Sequence, residues 1–351
     1  MTLPDHATAF KRPKRRWLFL PYAVVVIAVF GWSILWLEIS NQVGLAMDRA
    51  SVQARARGVD LAWKDRTIGG YPFRIEVTVT GFQAGELSGW AVSVPTVKAV
   101  ANAYDLNHWV VAAENGVVLN RPGAGATQIA GRAIRASWVG KGDAPPRVVI
   151  EGLGLSFTPA AGAKPFPLAS AEHAEVFTRT EPDGRMDAGL LLTGAQPRAA
   201  APGAPSLLGD LTANRPFALL WQGIISHPSA FRGPRAPDAA QAWSNAGGDI
   251  TTVRGGMASG PRGLGLAPGV IGLAPDGRLS GQATFVARGD AGNALRAIGR
   301  DQIINPIAAD GGALVLDARR ELGARQQIDL TFQAGVMTLG PLPIGASPRP
   351  F

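Results

Sequence analysis

The sequence predicts a β-dominated α+β protein that is tethered by one N-terminal helix. Residues 17–37 form an apolar run without a charged side chain, directly after a short basic tail. Beyond Gly58 the hydrophobic period changes to two, and Gly, Pro, Asp and Asn separate short apolar runs. We therefore expect one transmembrane helix, followed by a curved antiparallel β-sheet domain over 59–351 with a few small helices.

The apolar run at 17–37 has the length of a membrane span. At about 1.5 Å of rise per residue, its helix covers roughly 30 Å, the hydrocarbon thickness of a bilayer. Five Lys and Arg residues precede it, and cationic side chains resist translocation. Residues 1–16 are thus predicted to be a cytoplasmic basic tail. The protein is expected to lie in the bacterial inner membrane with its N-terminus in the cytoplasm and its bulk in the periplasm.

A cleaved signal peptide is the competing interpretation of this run. Gly44-Leu45-Ala46 could pass for a small-x-small cleavage site. Signal peptides, however, have apolar cores of about 7–15 residues. The longer run here also carries Trp17 near one end and Trp32 and Trp36 towards the other, as an aromatic belt does. These features favour an uncleaved anchor.

A helical pattern continues beyond the span. Ile39, Val43 and Ala50 belong to a stripe that recurs every three or four residues, and Gly58 supplies a helix stop. The pattern predicts a stalk helix over 38–58. We expect it to pack on the domain that follows; a dimerisation coil is the alternative.

Alternation of period two then predicts strands. Phe73, Ile75, Val77 and Val79 alternate with charged residues and threonines, which is typical of a half-buried antiparallel strand. Short runs with turn residues between them indicate a meandering antiparallel sheet. The predicted strands are 61–63, 73–80, 90–94, 109–112, 116–119, 133–139, 148–157, 174–179, 187–193, 217–224, 249–254, 270–274, 279–288, 313–318 and 327–339, with connections such as 122–127 and 182–184.

A Pro-, Ala- and Gly-rich segment at 196–206 is the best candidate for a linker or long loop. It divides the domain into two possible halves, 59–195 and 207–351. Small helices are predicted at 239–244 and at 291–298; the second has Asp290 as N-cap and Gly299 as its stop. A duplication of one architecture is possible on this pattern.

Composition argues against several classes of function. The formal charge is +8, but residues 1–16 hold five Lys and Arg against Asp5, so only +4 is left for the rest. Such a dispersed surplus indicates a solvated surface, not a nucleic-acid partner. The chain has no cysteine, which excludes disulfides, thiolate catalysis and Cys-ligated metals.

No motif in the sequence predicts a catalytic, cofactor-binding or metal-ligating residue. The four histidines, His6, His108, His173 and His227, are widely separated, and no HExxH or G-x-S-x-G pattern occurs. We therefore expect a non-enzymatic protein without a cofactor. Six tryptophans lie in or beside predicted elements, either in the core or lining an apolar groove: Trp63, Trp90, Trp109, Trp138, Trp221 and Trp243.

The most distinctive motif is Gly69-Gly70-Tyr71-Pro72-Phe73-Arg74, a glycine turn with Pro at the start of a strand. With the basic tail, the single span, Trp63 and the C-terminal Gly340-Pro341-Leu342-Pro343-Ile344-Gly345, it resembles an uncharacterised alphaproteobacterial inner-membrane family, domain of unknown function 2125. The layout is more loosely similar to AsmA-type envelope proteins, with 277–285 in the same style. That second resemblance implies a periplasmic β-rich domain and, in larger members, a lipid-conducting groove.

Two functions remain open from the sequence. The first is a membrane-anchored envelope protein whose curved sheet shelters lipid or another apolar ligand. The second is an envelope scaffold that binds other envelope proteins and has a packed core. An apolar groove of several hundred Å³ would distinguish the first from the second.

Overall fold

The computed structural model describes residues 19–141, 144–200, 207–231, 236–288, 327–340 and 342–349. The basic tail, the predicted helix at 291–298 and the predicted strand at 313–318 lie outside these residues. The described part confirms the predicted fold class: an apolar N-terminal helix, a large antiparallel sheet and a few small helices.

The predicted span and stalk form one continuous helix, α1 (Leu20–Ala56). It has no acidic or basic residue until Glu38, and it is long and apolar enough to cross a membrane. Pro21 lies in its first turn, where a missing N–H leaves no intrahelical bond unmade. The helix ends at Ala56 with Arg57 as its C-cap, and Gly58 follows with a φ of 81°.

Two further helices interrupt the strands. The short α2 (Leu207–Thr212) was not predicted, whereas α3 (Ala236–Asn245) confirms the prediction at 239–244. A single 3₁₀ turn at Pro228–Ala230 precedes α3. Apart from these, the described chain beyond α1 consists of strands and their connections.

Within the described residues, nineteen strands make one antiparallel sheet. Their bounds are β1 (Val59–Ala62), β2 (Asp65–Gly69), β3 (Arg74–Glu86), β4 (Ala91–Asn102), β5 (Asp105–Glu114), β6 (Val117–Arg121), β7 (Gly125–Ala130), β8 (Ala133–Lys141), β9 (Ala144–Pro159), β10 (Leu168–Thr180), β11 (Met186–Pro197), β12 (Phe217–Ile225), β13 (Asp249–Ser259), β14 (Arg262–Leu266), β15 (Gly269–Leu273), β16 (Leu279–Arg288), β17 (Gln327–Gln333), β18 (Val336–Leu339) and β19 (Leu342–Ala346).

The topology is a meander of long strands, four of which are interrupted. Strands β1 and β2 pair with the two ends of β3, and β5 and β6 pair with the two ends of β4. Strands β7 and β8 pair with the two ends of β9. Strands β14 and β15 each pair with β13 on one side and with β16 on the other. Every other strand pairs with its neighbours in the chain. Strands β11 and β12, on either side of the loop predicted at 196–206, pair directly.

Glycine permits one of these interruptions. Between β5 and β6, Asn115 and Gly116 have φ values of 64° and 83°. A Cβ added to Gly116 would lie 2.6 Å from the carbonyl oxygen of Ile129 in the neighbouring strand. The kink therefore requires glycine for two reasons, the left-handed backbone and the close approach of another main chain.

Two predicted segments were wrong. The segment at 122–127 was predicted as a connection, but β7 begins within it, at Gly125. The left-handed glycines are Gly123 in the turn and Gly125 at the first position of the strand. The run at 327–339 was predicted as one strand and is a hairpin. Ala334 and Gly335 have φ values of 51° and 75°, and Gln333 pairs with Val336 across the turn.

Apolar clusters stabilise the fold, and two of them are formed by described residues. In the first, Trp36 and Val43 of α1 pack on Ile75, Val77 and Val79 of β3, all of them buried. The helix therefore covers the first strands of the sheet. The second cluster lies on later strands and contains Leu155, Phe157, Ala171, Ala195 and Phe217.

Candidate functional site

One face of the sheet carries an unbroken apolar row. Residues directly opposite each other in an antiparallel sheet point to the same face. Following the register across thirteen strands from β2 to β17 gives an apolar residue or glycine at every step. The row is Ile68, Val77, Ala99, Val111, Ala136, Ile150, Val176, Leu190, Trp221, Gly255, Leu266, Phe285 and Ile328.

A second row lies two residues further along the strands and therefore on the same face. From β8 to β16 it is also apolar throughout. Its members are Ile134, Gly152, Ala174, Leu192, Leu219, Met257, Leu264 and Ala287. Trp138 lies two residues from Ala136 on β8, on the side away from Ile134, and therefore on the same face. We call the surface formed by the two rows and Trp138 the apolar face.

The apolar face is covered at β3 and at β11–β12, and it is open between them. Val77 is buried beneath α1, and Leu192 and Leu219 pack against the second cluster. Between them, Trp138, Ile150 and Val176 are 40%, 48% and 44% exposed. Large contiguous apolar patches on a protein surface mark contact or ligand-binding sites. We call these three residues the open stretch.

The opposite face, which we call the polar face, carries charged pairs over the same strands, together with apolar residues such as Val110 and Phe177. Arg135 Nε donates a hydrogen bond to Glu151 Oε2 at 2.6 Å, and Lys98 pairs with Glu114 at 2.8 Å. The hydrogen bond from Arg135 lowers the pKa of Glu151, and Glu114 raises the pKa of Lys98. This face therefore carries the solvated charges of β4–β10, and the two faces are chemically distinct.

A buried carboxylate continues the polar face towards later strands. The side chain of Asp187 accepts hydrogen bonds from Gln222 Nε2 at 3.0 and 3.1 Å and from Arg179 at 3.2 Å. Gln222 in turn accepts a hydrogen bond from Arg254 Nε at 2.9 Å. The network joins β10 to β13, and it satisfies a carboxylate that is only 4% exposed.

Beside this network the polar face contains an apolar depression. Its volume is about 340 Å³, and it is lined by residues of β11–β14 that include Leu191, Leu220 and Gly256. Gly256 and Gly265, paired across β13 and β14, lower its floor because they carry no side chain. The depression is thus separate from the open stretch on the other face.

The six tryptophans that were predicted to lie in the core or in a groove divide between packed and exposed positions. Trp63 and Trp109 pack against the first cluster, and Trp243 is buried, stacked on Phe231 at 4.9 Å. Trp221 lies in the apolar row, where its Nε1 bonds Thr252. Trp138 pairs across the strands with Trp109 and is exposed, as is Trp90.

The loop that contains the distinctive motif lies against α1. Trp32 Nε1 donates to the carbonyl of Pro72 at 2.8 Å, and the hydroxyls of Ser33 and Tyr71 are 2.8 Å apart. The Tyr71–Pro72 peptide bond is cis. The motif therefore has a structural role, since it fixes the first hairpin of the sheet to the apolar helix.

The two described histidines in the sheet have these neighbours. His173 Nε2 lies 3.2 Å from Glu151, and His108 lies 3.3 Å from the hydroxyl of Ser137. Within the residues that the structure describes, no group of three or more His, Asp or Glu could hold a metal ion. The absence of catalytic and cofactor residues stays a prediction from the sequence.

A family model described as an uncharacterized protein conserved in bacteria, domain of unknown function 2125, matches residues 36–348. No curated protein and no solved structure matches the chain. The chain belongs to this family, which confirms the resemblance of the Gly69–Arg74 motif. The looser resemblance to AsmA-type proteins stays a prediction.

Proposed function

We propose that this member of an uncharacterised bacterial family is a non-enzymatic, single-pass inner-membrane protein whose sheet shelters lipid acyl chains on its apolar face. The observation that carries the proposal is the unbroken apolar row with an open stretch at its centre. Exposed apolar area costs about 25 cal/mol per Å² relative to burial. A ligand that covers Trp138, Ile150 and Val176 would recover that free energy.

The dimensions of the apolar face suit an acyl chain. Neighbouring strands lie about 4.8 Å apart, so the row from β8 to β12 extends over roughly 19 Å. One leaflet contributes about half of the roughly 30 Å hydrocarbon core. An acyl chain could therefore lie across these strands at close to its full length.

The contacts of α1 support an anchor that is retained. The carbonyl of Gly44, within the signal-peptide cleavage site considered above, accepts a hydrogen bond from Arg66 Nη1 at 3.1 Å. Arg66 also pairs with Asp48 at 2.8 Å. Cleavage after Ala46 would remove Trp36 and Val43 from the first cluster. Together with the cationic tail, this supports an N-in anchor and a periplasmic sheet.

Adjacent residues of β10 provide a matched test. A photo-crosslinking amino acid is placed at Val176, on the open stretch, or at Glu175, on the polar face, in full-length protein in native membranes. We expect lipid adducts at Val176 that are at least several-fold more abundant than at Glu175, detected by mass spectrometry. Absence of lipid adducts at both positions would contradict the proposal.

An envelope scaffold is the second candidate. Its specific support is the depression of about 340 Å³ on the polar face, where a partner's apolar side chain could insert beside Leu191 and Leu220. The two candidates differ in what they bind and where. A crosslinker at Leu220 that captures protein, with no lipid captured at Val176, would favour the scaffold.

A further inference from the structure

The apolar helix meets the sheet before the predicted span ends. The first contacts of α1 with the hairpin loop 69–74 are made by Trp32 and Ser33. Residues 20–31 of α1, which precede these contacts, provide about 18 Å at 1.5 Å per residue. A bilayer core of roughly 30 Å is longer than this part of the helix, so a membrane crossed by α1 also takes in helical residues that lie beside the sheet.

Two turns of the sheet carry exposed aromatic side chains at this level. Tyr71, Phe73 and Tyr104 are 50%, 66% and 75% exposed. The main-chain N–H of Ala103 donates to the carbonyl of Phe73 at 2.9 Å, which joins the turn after β4 to the loop before β3. We call these three residues the aromatic rim. Aromatic side chains are enriched where an apolar ring meets the headgroup layer.

We propose that the aromatic rim is seated in the periplasmic interface of the membrane that α1 crosses, so that the first hairpins of the sheet rest on the lipid surface. The inference rests on the proposed anchor but not on lipid binding by the apolar face. The occupant is the bilayer itself, because the rim is continuous with the helix: Tyr71 contacts Ser33 by hydrogen bond and packs edge-on against Trp36 at 5.6 Å.

The opposite end of the same hairpin supplies a control. Leu87, in the turn between β3 and β4, is 74% exposed and is also an apolar turn residue. Strand β3 separates it from Phe73 by thirteen residues, or roughly 40 Å at 3.3 Å per residue. A membrane that holds the rim therefore leaves Leu87 in water.

The chain has no cysteine, which permits single-site labelling of the full protein. We label Phe73→Cys, Tyr104→Cys, Leu87→Cys and Val25→Cys with a nitroxide, and reconstitute each variant in phosphatidylethanolamine–phosphatidylglycerol vesicles. The accessibility of each label to oxygen and to a water-soluble nickel chelate then reports its depth. We expect the label at position 25 to lie deep in the bilayer and the label at position 87 to lie in water. The labels at positions 73 and 104 should lie at the interface, with at least threefold less contact with the nickel chelate than the label at position 87.

Two results would overturn the inference in distinguishable ways. If Val25 is deep but Phe73 and Tyr104 are as accessible to nickel as Leu87, the rim is in water and the anchor stands. If Val25 is itself in water, the anchor fails and the rim with it. Dipolar broadening between labels at Phe73 in place of lipid contact would assign the rim to a second copy of the chain and contradict the proposal.

Discussion

The indole Nε1 of Trp36 donates a hydrogen bond to the main-chain carbonyl of Arg74 at 2.9 Å. Trp36 belongs to the apolar helix and Arg74 is the first residue of β3. The bond, together with the burial of Trp36 at 8% exposure, makes the end of the apolar segment part of the core of the sheet. The helix and the first hairpin are thus one structural unit.

Shortening Trp36 should destabilise the protein in two separable steps. Trp36→Phe keeps an aromatic ring but leaves the Arg74 carbonyl without its donor, and we expect a loss of about 1 kcal/mol. Trp36→Ala also removes buried apolar area, and we expect about 3–5 kcal/mol. Thermal unfolding of the detergent-solubilised full chain, followed by circular dichroism, measures both. Leu45→Ala, at a 54% exposed position of the same helix, is the control. Equal effects at positions 36 and 45 would contradict the packing.

The kink between β5 and β6 should be intolerant of a side chain. Gly116→Ala adds a methyl group 2.6 Å from the Ile129 carbonyl, whereas a methyl group added at Gly123, where φ is 62°, would meet nothing within 4 Å. Alanine at either site carries the left-handed strain of about 1–2 kcal/mol. We expect Gly116→Ala to cost at least about 1 kcal/mol more than Gly123→Ala, because of the added overlap. Urea denaturation measures the difference. Equal midpoints for the two variants would show that the neighbouring strand can move aside.

The pairing of Glu151 with Arg135 should contribute to stability in a pH-dependent way. The hydrogen bond from Arg135 is the main cause that lowers the pKa of Glu151 in the folded protein; burial opposes it, and the charges of Arg135 and His173 add to it. Because the folded pKa lies below the unfolded value of about 4.3, the stabilisation is present above that pH. It is lost as the pH falls through the folded pKa.

The experiment compares melting temperatures between pH 3 and pH 6. Glu151→Gln should lower the melting temperature at pH 6 and have little effect at pH 3. Arg135→Gln should show the same dependence, because it removes the main cause of the pKa shift. The double variant should lose no more than either single variant. Full additivity of the two substitutions would contradict their coupling.

The sequence predicted the elements better than their pairing. Alternation in residues 73–80 identified β3, and the three- and four-residue spacing after Glu38 identified the second half of α1, because both patterns are local. The hairpin at Ala334–Gly335 was missed since alanine rarely adopts a positive φ. Strands such as β2 and β14 lack a run of large apolar residues and carried no clear signal.

The apolar face depends on register, which is a long-range property. Ile150 and Val176 are far apart in sequence and become neighbours only because β9 and β10 pair in this register. A shift of one residue would place Glu151 or Glu175 there instead. Sequence spacing alone could not show that Trp138 is exposed while its partner Trp109 is packed. Whether a given tryptophan lies in the core or on an exposed surface could therefore be decided only from the pairing of the strands.

The orientation of the chain in the membrane is the prediction that bears on both proposed functions. Each Lys or Arg moved to the wrong side of a bilayer costs a few kcal/mol on insertion scales, and five lie within the first 16 residues. On the other side of the apolar run, Glu38 is the first charged residue, and the opposite charges of Asp48 and Arg49 partly balance each other. We therefore expect alkaline phosphatase fused after Phe351 to be active, and a fluorescent protein that matures only in the cytoplasm to be dark at the same position.

Replacing the five tail cations with glutamine should reduce phosphatase activity, because it removes the charge asymmetry that sets orientation. A bright, phosphatase-inactive fusion of the unaltered chain would place the sheet in the cytoplasm, and would contradict both the periplasmic lipid carrier and the envelope scaffold.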